Sequence, residues 1–309
     1  MFRRLAVTAA SSPHEDEATL LAASRADLES LPAEILETVL LYSADLALPR
    51  ASPRLGVKLS DRVTLLRLFI WAFHDTWDQW FGIPRRFAYY YFTREFSIRI
   101  DEFQGDPVLQ SAILELPWVD IDFILQAQQA WSRRYARGRC YQHSVPVSRS
   151  GDGPELADDH GSGFGNFDAR ACFEADYQQA LTMRARYDGL NKWRASDVHP
   201  RTRMPARLLT GPWDDEKLRR LFWLTRAGIH MNDYMPWEVR LQSLDNAVIS
   251  APEPSALVVN CIMGSWTFAD VPRDAVTRAR AKIDKRMKWE GASRESRLVL
   301  FWALNKLHT

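Results

Sequence analysis

His74 and Asp78 have a spacing that can support metal binding. They lie four residues apart in a segment that predicts a helix, so both side chains fall on one helix face. Metal sites use this spacing, but a site needs a third and usually a fourth ligand. The sequence nominates neither, because its seven histidines are scattered and no His–Cys or His–Glu cluster recurs. We therefore favour an ion pair on the helix surface, and no metal is expected.

Two further motifs could support catalysis or phosphate binding. Cys140 lies near His143, but the pair precedes a loop-like segment and no acidic residue is placed to orient the imidazole. Residues 161–165 are glycine-rich, yet no strand precedes them, so a linker is favoured over a phosphate cradle. The sequence thus predicts a protein that is not an enzyme and has no cofactor, although a catalytic site assembled from distant residues stays open.

Composition narrows the possible partners. The 40 basic and 39 acidic residues give a net charge of +1, which favours neither nucleic acid nor an anionic membrane surface. No apolar run approaches the roughly 20 residues needed to span a bilayer. The three cysteines are far apart and predict neither disulfides nor a metal site, which is typical of a reducing compartment, either cytoplasm or nucleus.

Helix signals recur along the chain, and strand signals do not. Prolines that suit a first helical turn and acidic or hydroxyl residues that suit an N-cap precede most apolar stretches. Only residues 87–100 could form a pair of strands, and their aromatic run is better interpreted as a buried helix. The sequence therefore predicts an all-α protein, a packed array of about ten helices. The predicted helix starts are marked by Pro32, Ser60, Pro107, Asp214, Pro236, Pro254, Pro272 and Ser293.

Changes in composition divide the chain into five predicted regions. Residues 144–168 are rich in Gly, Ser and Asp, with few apolar side chains, and predict a flexible linker and the best candidate boundary. Residues 1–27 predict a disordered tail, with a mitochondrial transit peptide as the alternative because acidic residues are absent before Glu15. Between and after these segments we expect a short N-terminal helical segment (28–60), a helical region (61–143) and a C-terminal helical region (169–309).

The N-terminal segment has a specific pattern. It opens as Leu31-Pro32-Ala33-Glu34-Ile35-Leu36, continues as an apolar helix, and reaches an Asp45-Leu46 step before a second short helix. This pattern resembles an F-box, and the variant with Pro49 to Pro53 resembles the F-box-like segment of filamentous-fungal proteins with a large Trp-rich helical region. The segment departs from the family at Pro49 and Ser52-Pro53, which interrupt the second helix, so the third helix must begin after Ser60.

The resemblance implies that the segment binds the Skp adaptor of a cullin-based ubiquitin ligase. The protein would then be a substrate receptor whose helical region recruits a protein target. A helical interaction scaffold without adaptor binding is the alternative, because the same apolar pattern would dock the first helix onto the protein's own core. The residues that the resemblance assigns to adaptor binding are Leu31, Pro32, Ile35, Leu36, Val39, Leu40 and Leu46.

Overall fold

A computed structural model describes residues 28–81, 103–139, 167–185, 196–227, 229, 235–263, 268, 270–288 and 293–307. About 70% of these residues are helical and none lies in a strand, which confirms the all-α prediction. The predicted tail 1–27, the possible strand pair at 87–100 and most of the linker lie outside the described residues. The described residues contain twelve α-helices: α1 (Ala33–Ser43), α2 (Pro53–Leu59), α3 (Arg62–Trp80), α4 (Pro107–Leu114), α5 (Ile121–Tyr135), α6 (Ala169–Thr182), α7 (Ala206–Leu209), α8 (Asp215–Arg226), α9 (Trp237–Leu244), α10 (Ala256–Met263), α11 (Arg273–Met287) and α12 (Arg294–Lys306).

Side-chain caps set most helix starts. The carboxylates of Asp106, Asp120 and Asp214 accept hydrogen bonds from backbone N–H groups in the first turns of α4, α5 and α8. Ser293 accepts one at the start of α12 in the same way. Each cap satisfies a donor that the helix itself leaves without a partner, and a cap of this kind typically contributes about 1 kcal/mol. The predicted starts at Pro107, Asp214 and Ser293 coincide with these caps and are confirmed. Those at Pro236 and Pro272, where no side chain caps the helix, are confirmed as well.

The chain divides into two compact units, 1–68 and 69–309. The division falls inside α3, between Leu68 and Phe69, whereas composition favours a boundary at 144–168. The helices before and after that linker belong to the same unit, and hydrogen bonds from one side chain to the backbone join them. The Gln129 side chain on α5 accepts from the Ala169 N–H at 2.8 Å and donates to the Phe167 carbonyl at 2.9 Å. Linker composition carries no information about such contacts.

An aromatic core occupies the second unit. The rings of Phe69 and Phe73 on α3 stack with their centroids 4.5 Å apart, and Trp77 packs edge-on against Trp131 of α5 at 5.8 Å. Trp223 on α8 approaches Phe73 at 6.4 Å. All five rings are buried, and aromatic pairs of this geometry add to the stabilisation from burial itself.

One buried amide joins three parts of the second unit. Gln110 on α4 is fully buried, and its NH₂ group donates to the Ala72 carbonyl and to the Thr76 hydroxyl. Its carbonyl oxygen accepts from the His199 N–H and the Thr202 hydroxyl, both at 2.9 Å. These four bonds use the full hydrogen-bonding capacity of the amide, so its burial carries no penalty for a polar atom without a partner.

The described helices contain no candidate for a membrane-spanning segment. None of those in the described part of the chain combines the length and the apolar character that crossing a bilayer requires.

Candidate functional site

The candidate site is the first unit, and its first helix begins at a proline. Pro32 stands at the N-cap with φ −55° and ψ 150°, and its carbonyl accepts from the N–H groups of Ile35 and Leu36. The helix ends at Ala44, which adopts the left-handed conformation at φ 50°. The Asp45 carboxylate then accepts from the Ala47 N–H at 2.9 Å and forms the turn that carries Leu46. The predicted helix and the Asp-Leu step are therefore local structures that the sequence itself produces.

The second part of the unit differs from the predicted single short helix. Pro49 lies in a 3₁₀ turn, Leu48–Arg50, and α2 follows it. Ser52 caps α2 by accepting from the Leu55 N–H at 3.2 Å, and Pro53 occupies the first helical position. The prolines therefore start a helix rather than merely interrupting one, because proline suits the first turn. The third helix, α3, begins at Arg62, as expected.

Helix α1 has two apolar faces with different environments. Leu36 and Leu40 are completely buried, and Leu55 and Leu59 of α2 are at most 3% exposed. The two helices contact each other. These four leucines, with Leu68 of α3, form the core of the first unit. The adjoining face of α1 is not covered by this core. Of its side chains, Ile35 is 49% exposed, and Val39 is half-buried.

The seven residues that the sequence assigned to adaptor binding therefore separate into two groups. Leu36 and Leu40 lie in the core of the first unit, where no partner can reach them without unfolding α1. The other five remain accessible to different degrees: Pro32 and Ile35 are exposed, and Leu31, Val39 and Leu46 are half-buried.

Tyr42 joins this face, and the sequence interpretation missed it. It is 83% exposed, and it follows Ile35 and Val39 at the i, i+4 and i+7 positions of one helix face. That spacing was the signal that could have identified it. We call the resulting surface the α1 stripe, defined as Pro32, Ile35, Val39 and Tyr42. Apolar side chains that share one accessible helix face make this surface a candidate for contact with another protein.

Lys58 fixes the segment that leads into the α1 stripe. It is the one lysine among residues 1–191. Its ammonium group donates to the carbonyls of Glu29 and Leu31, each at 2.8 Å. The Glu29 carboxylate also accepts from Arg54 at 3.4 Å. Helix α2 thus holds the main chain just before Pro32, so the position of the stripe's first residues depends on Lys58.

An ion pair holds α1 to the first turns of α3. The Arg67 guanidinium lies 2.9 Å from both carboxylate oxygens of Glu37. The Glu37 side chain is largely buried, while that of Arg67 is more than half exposed. A pair of this kind adds little to stability, but it fixes the rotation of α1 about its axis and so the direction of the α1 stripe.

In the second unit, the interpretation of His74 and Asp78 as an ion pair is wrong. The Trp131 indole N–H donates to His74 Nδ1 at 2.9 Å, and the ring of Tyr135 packs against the imidazole at 4.7 Å. Asp78 instead pairs with Arg139 at 2.6 Å. The four-residue spacing placed both side chains on one helix face, but residues of α5 and of the segment that follows it supply the closer partners.

Three charged side chains of the second unit form a cluster that joins its helices. Arg226 on α8 pairs with Asp176 of α6 at 2.7 Å and with Asp197 at 3.0 Å, and Asp176 is fully buried. Asp197 is tied further, since its carbonyl accepts from the Trp77 indole N–H. The three charges join α6, α8 and the segment before α7. Each buried charge has a partner of opposite sign, which offsets the cost of removing it from water.

The two described cysteines lack the electrostatics of activated nucleophiles. Burial raises the pKa of the Cys172 thiol from about 9 to about 11, against a smaller opposing effect of Arg226. Burial also raises the pKa of the Cys261 thiol. Because the thiolate is the reactive form, both groups are held in the unreactive state near neutral pH.

Burial sets the ionisation of two more groups in the same unit. It lowers the pKa of His199, and the charge of Arg201 lowers it further. It raises the pKa of Tyr177 to about 12, with Asp215 adding to the shift. Within the described ranges no group of three or more His, Cys, Asp or Glu side chains could hold a metal ion. These shifts follow from packing among helices.

The comparisons with known proteins leave the family open, because the chain matches no family model, no curated protein and no solved structure.

Proposed function

We propose that this chain is a substrate receptor of a cullin-based ubiquitin ligase. The first unit binds the Skp adaptor, and the second unit recruits a protein target. The observation that carries the proposal is the division of α1 into a buried face and the α1 stripe, on a segment whose sequence resembles an F-box. A helix that served only the core of its own unit would place polar residues on its outer face.

The surface proposed to contact the adaptor includes only some of the apolar residues in the F-box-like sequence pattern. It consists of the α1 stripe with Leu31 and Leu46 at its ends. Leu36 and Leu40 do not contact the adaptor; their burial in the core of the first unit keeps α1 in place. Lys58 and Glu37 position it through their bonds to neighbouring segments.

The receptor performs no bond chemistry of its own in this proposal. A ligase gains rate by holding the target beside a ubiquitin-loaded partner, which replaces a bimolecular encounter by an effectively intramolecular one. The chain needs only two binding surfaces for that role. The protein would work where the adaptor and cullin are found, in the cytoplasm or the nucleus.

Reconstitution with purified Skp adaptor tests the proposal. The wild-type protein is expected to form a complex by size-exclusion chromatography and titration calorimetry, and the complex should recruit cullin. The Ile35→Ala/Tyr42→Ala double variant should lose adaptor binding while its circular dichroism spectrum and melting temperature remain those of the wild type. Val57→Ala is the matched control, because Val57 is 82% exposed on α2 and lies outside the stripe.

The competing function is a helical scaffold that binds no adaptor. The complete burial of Leu36 and Leu40 favours it, since part of the F-box pattern serves the unit's own core. If the wild-type protein forms no complex with the adaptor at micromolar concentration while fully folded, the scaffold is the better description.

A further inference from the structure

The outward face of α12 carries large apolar side chains opposite its buried side. Leu298 and Phe301 are 40% and 46% exposed, and they follow Arg294 at the i+4 and i+7 positions. The opposite side packs into the second unit through Ser296, Val299, Leu300 and Ala303. A helix that only covered a core would carry polar residues at the outward positions.

A cavity lies beside this face. It has a volume of about 330 Å³ and is lined by Arg184, Ala185, Arg294, Glu295, Leu298 and Val299. That size falls within the range of binding pockets. A hydrogen bond from a buried side chain holds one side of the cavity, since the side chain of Asn260 on α10 donates to the Arg184 carbonyl at 3.1 Å. Helix α10 also contacts both α6 and α12. We call the cavity together with Leu298 and Phe301 the α12 groove.

Positive charges predominate among the described side chains of the α12 groove. Arg184 and Arg294 are exposed, and neither side chain forms an ion pair with a described residue. Arg297 is exposed on the same helix, and among the described residues that line the cavity Glu295 is the one acidic side chain. Guanidinium groups bind carboxylates with two parallel hydrogen bonds, so carboxylates are the complementary ligands.

We propose that the α12 groove docks a segment of a partner protein that presents carboxylates beside large apolar side chains. The carboxylates pair with Arg184 and Arg294, and an aliphatic or aromatic side chain covers Leu298 and Phe301. This deepens the proposed function by naming the chemical class of target, and only the description of the partner as a ligase target rests on that function. Binding itself needs no adaptor.

A random dodecapeptide library displayed on phage tests the proposal with the full-length protein and without the adaptor. Selection should enrich peptides that combine Asp or Glu with Leu, Ile, Phe or Trp. A synthetic peptide from the enriched set should bind more weakly as salt rises, because exposed ion pairs are screened. Enrichment of basic peptides, or no enrichment of acidic residues, would overturn the proposal.

Four variants assign the selected peptide to the groove. Arg184→Glu/Arg294→Glu and Leu298→Ser/Phe301→Ser should each weaken its binding by about tenfold or more. Arg273→Glu and Val108→Ser are the matched controls, since both residues are exposed on other helices, and they should leave affinity unchanged. Equal losses in controls and groove variants would place the peptide elsewhere and refute the assignment. Because every arm omits the adaptor, failure here is distinguishable from failure of adaptor binding.

Discussion

Two consecutive residues of α1 are expected to respond to the same substitution in opposite ways. Ile35 is 49% exposed on the α1 stripe, whereas Leu36 is completely buried in the core of the first unit. Ile35→Ala should weaken adaptor binding and leave the fold intact. Leu36→Ala should destabilise the fold, and any loss of binding should follow from unfolding.

The expected magnitudes follow from burial. Truncating a fully buried leucine to alanine typically costs about 2–5 kcal/mol, because the free energy of burying the lost methyl groups is forfeited and the cavity left behind costs more. Ile35 already exposes half its side chain, so its truncation should cost less than about 1 kcal/mol in the unbound protein, and the better helix propensity of alanine offsets part of this. Burial of the remaining half against an adaptor contributes roughly 1–2 kcal/mol, which corresponds to about a fivefold to thirtyfold loss of affinity.

Urea denaturation and titration calorimetry on the same samples measure both quantities. The free energy of unfolding should fall by about 2 kcal/mol or more for Leu36→Ala. For Ile35→Ala it should stay within about 1 kcal/mol of the wild type. The reasoning is refuted if Ile35→Ala destabilises the protein as strongly as Leu36→Ala. The assignment of the stripe alone is refuted if Ile35→Ala leaves adaptor affinity unchanged in a wild-type complex that does form.

Three further predictions concern residues that position or stabilise the units. Lys58→Met removes two charge-assisted hydrogen bonds, so amide exchange of residues 28–31 should accelerate while α2 stays protected. Hydrogen-exchange mass spectrometry measures this, and unchanged exchange would exclude the positioning role. Arg226→Met leaves Asp176 buried without its ion pair, so it should lower the free energy of unfolding by about 3–5 kcal/mol. Adding Asp176→Leu should restore part of that loss. An unchanged free energy of unfolding for Arg226→Met in urea denaturation would contradict this. The raised pKa of Cys172 makes the folded state retain a thiol proton that the unfolded state releases, so the stabilisation by the thiol is complete below about pH 9 and is lost as the pH rises to about 11. The melting temperatures of the wild type and of Cys172→Ala, plotted against pH, should therefore converge across that window. A constant difference between the two melting temperatures would contradict this.

The residues proposed to bind the adaptor show how much a local sequence pattern can predict. Apolar residues at positions 35, 36, 39 and 40 predict a helix with one wide apolar stripe, and the helix is confirmed. Which part of the stripe is buried depends on how α1 packs against α2: Leu36 and Leu40 are buried, as are Leu55 and Leu59 of α2, while Ile35 stays outside. A partner that lies fifteen or more residues away cannot be identified from local periodicity.

His74 and Gln110 illustrate the same limit for polar residues. Helical spacing correctly placed His74 and Asp78 on one face, but Trp131 and Arg139 hold them, and both come from a region more than fifty residues later. Nothing in the sequence around Gln110 indicates that its amide joins Ala72, Thr76, His199 and Thr202. A hydrogen bond requires atoms about 3 Å apart, and only the packed chain brings these atoms together.

The sequence by itself determined the elements that depend on short-range physics. Proline geometry, carboxylate and hydroxyl caps and apolar periodicity act over a few residues, and they predicted the all-α class, the start of α1 at Pro32 and the starts of α4, α8 and α12. The tertiary structure decided where the compact units divide, which leucines of α1 are buried, and that Leu298 and Phe301 face outward beside two arginines. Burial and charge pairing depend on neighbours from distant parts of the chain, so the surfaces on which function is proposed become visible only once the helices are packed.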